Sequence, residues 1–381
     1  MLADTFDSFC QDGFGAFFQS PYGERDCPGG ELVVGGRFLM AGDKTVKLSA
    51  RTDGTDSNDA WIPVGDELSG GTPLKVTDYA EFQGDLYCVG EFDLPSPGIA
   101  KYNKADDIWE AVGAGLGGAG VGEGLYVYGD LLIVAGLFTE SGNSNVVAWD
   151  GEAFSAFGTL THKTFDILEF QDELYIFGEF ILGPGPVLGM GKWDGISSWV
   201  ALPGTGGAGT SGLIGFTASI YTAEIFEDKL YMGGLLTSFI NGATIGSANN
   251  ILSWDGTILA GVDMSGASGG LNLACQDLCV FKEKLTLVGA FTTVGVSSTT
   301  ANRIATYDGT TLDDFESTTG ANANLNSCFV FQDEIYFTGN ATTFNSVSAS
   351  FIAKWNDTDL DFEPLGDGLD DWGETLNEYE F

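Results

Sequence analysis

One sequence pattern recurs seven times along the 381-residue chain and limits its possible folds more than any other feature. The clearest copies are residues 82–92 and 170–180, in which an aromatic residue precedes a short acidic turn, a Leu-Tyr strand, a glycine and a phenylalanine. The anchoring glycines are 42 to 56 residues apart; they are Gly36, Gly90, Gly136, Gly178, Gly234, Gly289 and Gly339. A period of this length indicates a repeat architecture rather than two or three unrelated domains.

A second motif follows the anchoring glycines. An apolar strand ends in Trp-Asp-Gly at residues 149–151, 193–195 and 254–256, and in Tyr-Asp-Gly at 307–309. Asp-Gly between two β-prone segments predicts a tight hairpin, because glycine adopts a positive φ at low cost. Another strand, often with an aromatic residue, comes next. Each copy therefore predicts four antiparallel strands, which we name A to D, and the fold class is all-β.

The two ends of the chain predict how the copies are arranged. The first copy begins at Glu31 without a strand A, whereas residues 369–381 continue past the last strand D and resemble a strand A. We expect residues 376–381 to pair with residues 31–38, which only a closed ring allows. Stacking four-stranded sheets around an axis buries their faces and leaves short edges. We therefore predict a seven-bladed β-propeller over residues 31–381, with the C-terminal strand completing blade 1.

The order of these motifs resembles that of the kelch class of propeller repeats. The pattern Leu-Tyr-x-x-Gly-x-Phe followed by Ala-x-Trp-Asp-Gly is similar to the kelch-like repeats of the fungal cortical cell-polarity marker family. The kelch double glycine is present at Gly35-Gly36 and Gly233-Gly234, and single glycines stand elsewhere. The resemblance implies a propeller fold across residues 31–381. It implies no single function, because propellers host binding modules, scaffolds and several enzymes.

Residues 1–30 form a separate segment ahead of the repeats, predicted to be irregular. Cys10 and Cys27 flank its Gly/Pro-rich stretch, and we predict a disulfide between them because an irregular segment gains from covalent closure. Cys275 and Cys279 are four residues apart on a predicted strand, too far for a bridge. Cys88 lies within a strand and is expected to be a small buried hydrophobe. The first residues lack the basic region of a signal peptide, which indicates another route or a removed leader.

The charge excludes some classes of partner. The chain has 15 Lys+Arg and 54 Asp+Glu, a net charge of −39. Binding to nucleic acid needs clustered cations, so we expect none, and no segment is apolar enough for membrane insertion. The acidity indicates a solvated coat or adaptation to a saline or calcium-rich medium. Six cysteines and the sequons at Asn340 and Asn356 favour an extracellular or surface-associated protein.

Few residues could carry catalysis. His162 is the only histidine, so the chain lacks a multi-histidine metal site, and its polar surroundings predict an exposed turn. Phosphate-binding fingerprints are absent, and the glycine-rich residues 204–209 connect two strands, which indicates a flexible loop. We therefore predict a non-enzymatic protein with no cofactor except, as one alternative, calcium.

A polar position recurs four residues before the aromatic that ends strand A. It is occupied by Asp78, Asp166, Thr222, Asp277, Ser327 and Asn377, and Gly124 interrupts the series. If strand A is innermost, these side chains form a polar ring near the central channel. One interpretation is structural, in which they bond the backbone of neighbouring units. The other is a cation or ligand site at the channel mouth.

Two acidic clusters are candidate calcium sites. One contains Asp53, Asp56 and Asp59, and the other spans residues 356–361. Calcium takes six to eight oxygen ligands from such loops. Both clusters also coincide with the predicted C–D hairpins, so ordinary turn chemistry is the competing explanation.

The preferred prediction of function is an interaction scaffold that presents propeller loops to protein partners, in an extracellular or surface assembly. The strong repeats and the scarcity of catalytic residues favour it. Loops 139–145, 238–250 and 292–302 are the expected contacts, since loops on a rigid fold commonly carry binding. A carbohydrate-binding module and a carboxylate-based glycan hydrolase are the alternatives.

Overall fold

The computed structural model describes residues 30–381 except 55–59, 67, 72, 118–119, 141, 183–187, 204–209, 215–218, 242–243 and 266–267. Every element named in this part of the chain is a β-strand, which confirms the all-β class. The predicted disulfide between Cys10 and Cys27 and the predicted loop 204–209 lie outside the described residues. Cys88 is a buried free thiol, as the sequence predicts, and Cys275 and Cys279 are also buried free thiols.

The strands are numbered in chain order. The first group is β1 (Glu31–Gly36), β2 (Met40–Ala41), β3 (Lys44–Thr45), β4 (Ser49–Thr52), β5 (Ile62–Pro63), β6 (Lys75–Phe82), β7 (Asp85–Glu91), β8 (Ile99–Asn103), β9 (Ile108–Ala111), β10 (Val121–Tyr128), β11 (Leu131–Glu140), β12 (Asn143–Trp149) and β13 (Phe154–Ala156). The second is β14 (Thr164–Phe170), β15 (Glu173–Ile181), β16 (Leu188–Trp193), β17 (Trp199–Val200), β18 (Leu202–Pro203), β19 (Thr210–Ile214), β20 (Ser219–Phe226), β21 (Lys229–Leu235), β22 (Ser238–Asn241), β23 (Thr244–Ser247), β24 (Ile251–Trp254), β25 (Leu259–Gly261), β26 (Met264–Ser265) and β27 (Ser268–Gly269). The third is β28 (Cys275–Phe281), β29 (Lys284–Gly289), β30 (Thr293–Val294), β31 (Thr299–Thr300), β32 (Ile304–Tyr307), β33 (Leu312–Asp314), β34 (Leu325–Phe331), β35 (Glu334–Gly339), β36 (Thr343–Phe344), β37 (Val347–Ser348), β38 (Ile352–Asn356), β39 (Asp361–Pro364) and β40 (Gly373–Tyr379).

Most of these strands form four-stranded antiparallel units of the kind from which propellers are built. Units 1 to 7 of the described chain are, in strand order A to D, β40-β1-β4-β5, β6-β7-β8-β9, β10-β11-β12-β13, β14-β15-β16-β17, β20-β21-β24-β25, β28-β29-β32-β33 and β34-β35-β38-β39. We call the first strand of each unit its inner strand.

The C-terminal strand β40 pairs with β1 at the start of the chain, as the sequence predicts. Glu31 lies opposite Tyr379, and Val33 lies opposite Asn377. The strand begins at Gly373 and ends at Tyr379, earlier at both ends than the predicted 376–381. The inner strands also contact one another in the order of the units, and β34 of unit 7 contacts β40 of unit 1.

Each inner strand contains a β-bulge at the same place. The inner strand has one extra residue beside the anchoring glycine of strand B, and this residue has no partner in the ladder. In unit 2, Val76 pairs with Gly90 and Asp78 pairs with Val89, so Thr77 is the unpaired residue. A bulge redirects the extra side chain away from the ladder. We call these residues the bulge residues; they are Glu374, Thr77, Glu123, Phe165, Tyr221, Gln276 and Asn326 in units 1 to 7.

The bulge explains why glycine recurs in strand B. A Cβ atom on Gly90, Gly136 or Gly234 would lie 2.1 Å from a backbone carbonyl oxygen of the inner strand. Real Cβ atoms do not approach a carbonyl oxygen so closely. The glycine therefore permits the close backbone contact that the bulge creates, which is an established role of glycine within strands.

The segments predicted as variable loops are largely hairpins, which corrects that prediction. Residues 238–250 contain the paired strands β22 and β23, residues 292–302 contain β30 and β31, and residues 139–145 are mostly the ends of β11 and β12. The alternation of Phe, Ile, Val and Thr in these segments gives them β-propensity of their own. They lie beyond strand B as small antiparallel ribbons.

A polar residue before the inner strand holds the hairpin of its unit. The Asn272 Oδ1 accepts hydrogen bonds from the amides of Thr292 and Thr293, at 2.8 and 3.1 Å. Asn322 repeats these bonds with Thr342 and Thr343 in unit 7, and Asp370 repeats them with Leu39 and Met40 in unit 1. These residues were not predicted from the sequence, although Gly-Leu-Asn, Gly-Ala-Asn and Gly-Leu-Asp recur at matching places.

The connections lie at two opposite ends of the units. The B–C hairpins bridge to the D–A connections, for example Val294 to Leu271 and Phe344 to Ala321, and we call this end the hairpin face. The A–B turns contact the C–D turns of the following unit at the other end, the turn face. There Gln83 Nε2 donates to the carbonyl of Asp150, and Lys282 forms an ion pair with Asp357.

Aromatic residues of the outer strands pack between units. The indole of Trp109 in unit 2 donates to the carbonyl of Val64 in unit 1 at 2.8 Å, and Trp199 in unit 4 donates to Phe157 in unit 3 at 2.9 Å. Trp61 of unit 1 donates to Leu365 of unit 7 at 3.2 Å. A buried indole needs such an acceptor for its N–H. The same kind of indole hydrogen bond is therefore found between units 1 and 7, 1 and 2, and 3 and 4.

The bulge geometry gives a first prediction. Gly136→Ala and Gly234→Ala should each lower the free energy of unfolding by about 2 kcal/mol or more, because the new methyl group collides with a backbone carbonyl that cannot move aside cheaply. Denaturant unfolding followed by tryptophan fluorescence measures the change.

The matched control is Gly129→Gln in an A–B turn. A Cβ on Gly129 meets no atom within 4 Å, and Gln171 holds the same left-handed turn position in unit 4, with φ of 54°. A loss of stability in Gly129→Gln equal to that in the two strand variants would contradict the explanation.

Candidate functional site

The inner strands surround a central cavity, and the predicted polar residues lie on them. Asp78, Asp166, Thr222, Asp277 and Ser327 each follow the bulge residue of their strand directly. In unit 1 Thr375 holds that position, and the predicted Asn377 lies two residues further along β40, opposite Val33. The structure thus brings these five residues to one level around the cavity as a polar ring, and it places Asn377 nearer the turn face, which corrects that member of the predicted series.

The ring side chains bond the backbone of the next unit. Asp78 Oδ2 accepts from the Leu125 amide at 2.8 Å, and Asp166 Oδ2 accepts from the Ala223 amide at 2.7 Å. Nearer the turn face, the Asn377 side chain donates to the carbonyl of Tyr79 at 2.8 Å. In each of these residues Oδ1 also accepts from the amide that follows it in the chain. Both side-chain ends are therefore occupied by the backbone.

Asp277 is the most highly bonded member of the ring. It accepts from the amides of Leu278 and Cys328, at 2.8 and 3.0 Å, and from the Thr222 hydroxyl at 3.1 Å. The Ser327 hydroxyl is a further hydrogen-bond partner. These contacts join units 5, 6 and 7 through one carboxylate.

Gly124 interrupts the ring between units 3 and 4 for a steric reason. A Cβ there would lie 2.3 Å from the carbonyl oxygen of Phe165, because the two inner strands approach closely. The contact between the units is made instead by the ion pair of Lys163 Nζ with Glu123 Oε1, 2.5 Å apart.

The ring carboxyls lie deep in the molecule and have raised pKa values. Loss of solvent raises the pKa of Asp78 to about 8 and that of Asp166 to about 7, although backbone amides that donate to each carboxyl oppose the shift. The pKa of Asp277 is raised by the same burial. Asp78 and Asp166 therefore take up protons near neutral pH.

The other predicted site residues are not drawn together. His162 is exposed in a turn, as predicted, with its Nδ1 2.9 Å from the Thr161 hydroxyl. Asp53 lies exposed after β4, whereas Asp56 and Asp59 fall outside the described residues. In residues 356–361, Asn356 Oδ1 accepts from the amides of Thr358 and Asp359, as in an ordinary turn. Within the described ranges, no group of three or more Asp, Glu, His or Cys side chains is arranged to hold a metal ion.

The bulge residues are the functional candidates that the sequence analysis missed. All seven line one cavity of about 640 Å³ on the side of the polar ring nearer the hairpin face. A second cavity of about 330 Å³, toward the turn face, is lined by residues such as Val127, Ile225 and Phe329. The bulge residues differ in chemistry from unit to unit, while their neighbours in the ring are short and polar. Their position directly before the ring was the available signal.

The charged groups of the larger cavity are largely matched within the protein. Lys163 pairs with Glu123, and Glu179 Oε1 is 3.2 Å from the donating hydroxyl of Ser219. Burial raises the pKa of Glu374, with Lys75 opposing the shift, and Asn326 Nδ2 donates to the Glu374 carboxyl at 3.2 Å. The remaining lining includes the rings of Phe165 and Tyr221, whose centroids are 5.1 Å apart, and the amide of Gln276.

Comparisons with known proteins give the fold but no family. No protein-family model and no curated protein matches this sequence. The extracellular domain of a protein described as a hybrid two-component system from B. thetaiotaomicron has a similar structure, with a TM-score of 0.50 and 12% identity. The match covers 87% of this chain and 39% of that protein. At this identity the likeness shows shared architecture alone.

Two further structures are more distant. The WD40 β-propeller domain of Doa1 has a TM-score of 0.45 at 12% identity, over 79% of this chain and 84% of that one. The computationally designed Ika8 protein has a TM-score of 0.43 at 10% identity, over 87% and 86%. In the described residues no helix has the length and apolarity needed to span a membrane.

The raised pKa values predict how stability depends on pH. Folded Asp78 and Asp166 bind protons up to about pH 8 and 7, whereas the unfolded chain releases them near the ordinary value of 3.8. The folded state is thus favoured at low pH, and the free energy of unfolding should fall by at least about 1 kcal/mol between pH 5 and pH 8.5. Urea denaturation in high salt, which screens surface charge, measures this slope.

The Asp78→Asn and Asp166→Asn double variant should lose most of the slope, whatever its stability at pH 5. Asp150→Asn is the control, since that carboxyl is exposed and its pKa is lowered, so it does not titrate in this range. Equal slopes in the double variant and the native protein would contradict the assignment.

Proposed function

We propose that the seven units close into a seven-bladed β-propeller and that the repeats are of the kelch-like type. The pairing of β40 with β1 supports closure, as does the contact of β34 with β40. The hydrogen bond from Trp61 of unit 1 to Leu365 of unit 7 supports it as well. The kelch-like assignment rests on the sequence motifs.

We infer that this propeller is a non-enzymatic interaction scaffold whose hairpin face binds a protein partner. The observation that carries the proposal is the exposure of large apolar side chains on that face. Leu39 is 51% exposed, Leu94 56%, Ile245 67% and Val296 43%, and all four belong to B–C connections of different units. Exposed apolar side chains that share a surface are typical of interaction sites.

The distribution of charge supports the choice of face. The tips of the A–B and C–D turns carry exposed carboxylates, including Asp130, Asp172, Asp228, Asp255 and Asp308. Mutual repulsion and strong hydration disfavour contact with an ordinary protein there. Residues 238–250 and 292–302 contain no charged residue, and Arg303 is the first one after the second hairpin. A partner that docks on the hairpin face therefore leaves the acidic face in water.

The bonding of the ring disfavours the glycan hydrolase among the predicted alternatives. A general acid or a nucleophile needs an oxygen free to reach the substrate. In Asp78 and Asp166 each carboxyl oxygen accepts a backbone amide. Calcium at Asp53, Asp56 and Asp59 stays an untested proposal, as does an extracellular or surface-associated location.

Site-specific photo-crosslinking in the native host tests the scaffold. A photoreactive residue at the position of Leu39, Ile245 or Val296 should capture one common protein. The Leu39→Asp and Ile245→Asp double variant should then bind that purified protein at least about tenfold more weakly, because a charge enters an apolar contact.

Ile196 provides the matched control on the turn face. It is 85% exposed in the C–D turn of unit 4, so Ile196→Asp makes the same chemical change away from the hairpins. We expect no capture at that position and unchanged affinity in the variant. Capture at Ile196 together with none at the hairpin positions would overturn the proposal.

A further inference from the structure

We propose that the cavity lined by the bulge residues is a binding site for a neutral saccharide, about one or two sugar rings in size. The site is separate from the apolar hairpin surface and lies between it and the polar ring. Its volume of about 640 Å³ falls within the range of small-molecule pockets in proteins. Its walls come from seven inner strands, so the side chains project from rigid elements.

The bulges place the recognition groups. In a regular strand each of these side chains would lie on a face of the sheet that packs against a neighbouring unit. The extra residue of a bulge is unpaired, and its side chain points in a different direction. Phe165 and Tyr221 thereby bring two aromatic rings to one wall, on β14 and β20. Gln276 and Asn326 bring two amide groups to the adjoining wall, on β28 and β34.

This lining fits a polyhydroxylated ring. Amide groups both donate and accept hydrogen bonds, as sugar hydroxyls do, and carboxylates such as Glu179 accept from hydroxyls. An aromatic face offers a large rigid surface to the C–H face of a sugar ring. Asn326 already donates to the Gly373 carbonyl and to Glu374, which fixes its orientation. The Gln276 side chain has no partner among the described residues and is the group left to turn toward a ligand.

The charges select for a neutral ligand. An anion would approach Glu123, Glu179 and Glu374, whose carboxylates outnumber the two ammonium groups of Lys75 and Lys163. A cation would find these carboxylates already held by Lys163, Ser219 and Asn326. The floor of the cavity is the polar ring, whose carboxyl oxygens are occupied by backbone amides. An anion therefore gains no counter-charge there, and a cation would have to displace the ion pair or the hydrogen bonds that hold these carboxylates.

Calorimetric titration of the full chain at pH 6.5 tests the site. The probes are a panel of neutral mono- and disaccharides based on glucose, galactose, mannose, xylose and N-acetylglucosamine, with glucosamine as the cation and glucuronate as the anion. We expect at least one neutral sugar to bind in the millimolar range or tighter, and neither charged sugar to bind as well. Failure of the whole neutral panel would overturn the proposal, as would preferential binding of glucosamine or glucuronate.

Variants locate the binding in the cavity. Gln276→Ala and Tyr221→Ala should each weaken the bound sugar at least about tenfold, and Tyr221→Phe, which keeps the ring, should weaken it less. Gln276→Ala removes no internal hydrogen bond of the described structure, so its fold is expected to be intact, and its unfolding midpoint verifies this. Phe154→Ala is the control, because that ring packs on Trp149 at the outer edge of unit 3.

The outcome is independent of the scaffold proposal. The Leu39→Asp and Ile245→Asp double variant should bind the sugar like the native protein, because both changes lie on the hairpins. Unchanged affinity in Gln276→Ala and in Tyr221→Ala would overturn the assignment of the sugar to this cavity, even if the chain binds sugar elsewhere.

Discussion

The close approach of two backbones at the anchoring glycine is the constraint on which the rest of the structure depends. In each unit strand B lacks a Cβ atom where the inner strand inserts one extra residue, and a carbonyl oxygen occupies the space that a side chain would need. The bulge shifts the alternation of side chains by one position. The residues before and after it then face different surroundings, so one backbone feature divides the inner strand into two functional levels.

The side chains at these two levels make different kinds of contact. At the ring level, Asp78, Asp166 and Asp277 bond backbone amides of the next unit, which makes short acceptors suitable at that position. At the bulge level the side chains face a cavity rather than a neighbouring backbone, and their types range from Thr77 to Phe165. The hydrogen bonds to the next unit restrict the ring positions to short polar side chains. The bulge positions have no such restriction, so their side chains can be suited to a ligand. The ring is therefore better understood as the frame of the site than as the site.

The sequence predicts the parts of this fold that arise from local chemistry. Asp-Gly turns, alternating apolar strands and the strand-like C-terminus predict the all-β units and the pairing of β40 with β1, all of which the structure contains. Five of the ring residues could be identified because their spacing from the aromatic residue that ends strand A is constant. In unit 1 the spacing was counted from Phe381, whereas the ladder ends at Tyr379, so it pointed to Asn377 instead of Thr375. The bulge residues could not, since strict alternation assigns Phe165 and Tyr221 to a face that the extra residue changes. The hairpins of residues 238–250 and 292–302 were missed because their Ser, Thr, Asn and Gly content is equally typical of loops.

The acidity of the chain is also easier to understand from the fold. Many of its exposed carboxylates lie on the turn face, where Asp150, Asp194, Asp255 and Asp308 cap the C–D turns through backbone amides. Their hydrogen bonds lower the pKa of each of these four carboxyls, so they stay ionised at neutral pH. The buried ring carboxyls have the opposite shift, because few water molecules reach them. The hydrogen bonds of the C–D turns thus keep the turn face charged and hydrated. The hairpin face and the cavity beneath it carry fewer exposed charges, and these are the surfaces at which we propose that other molecules bind.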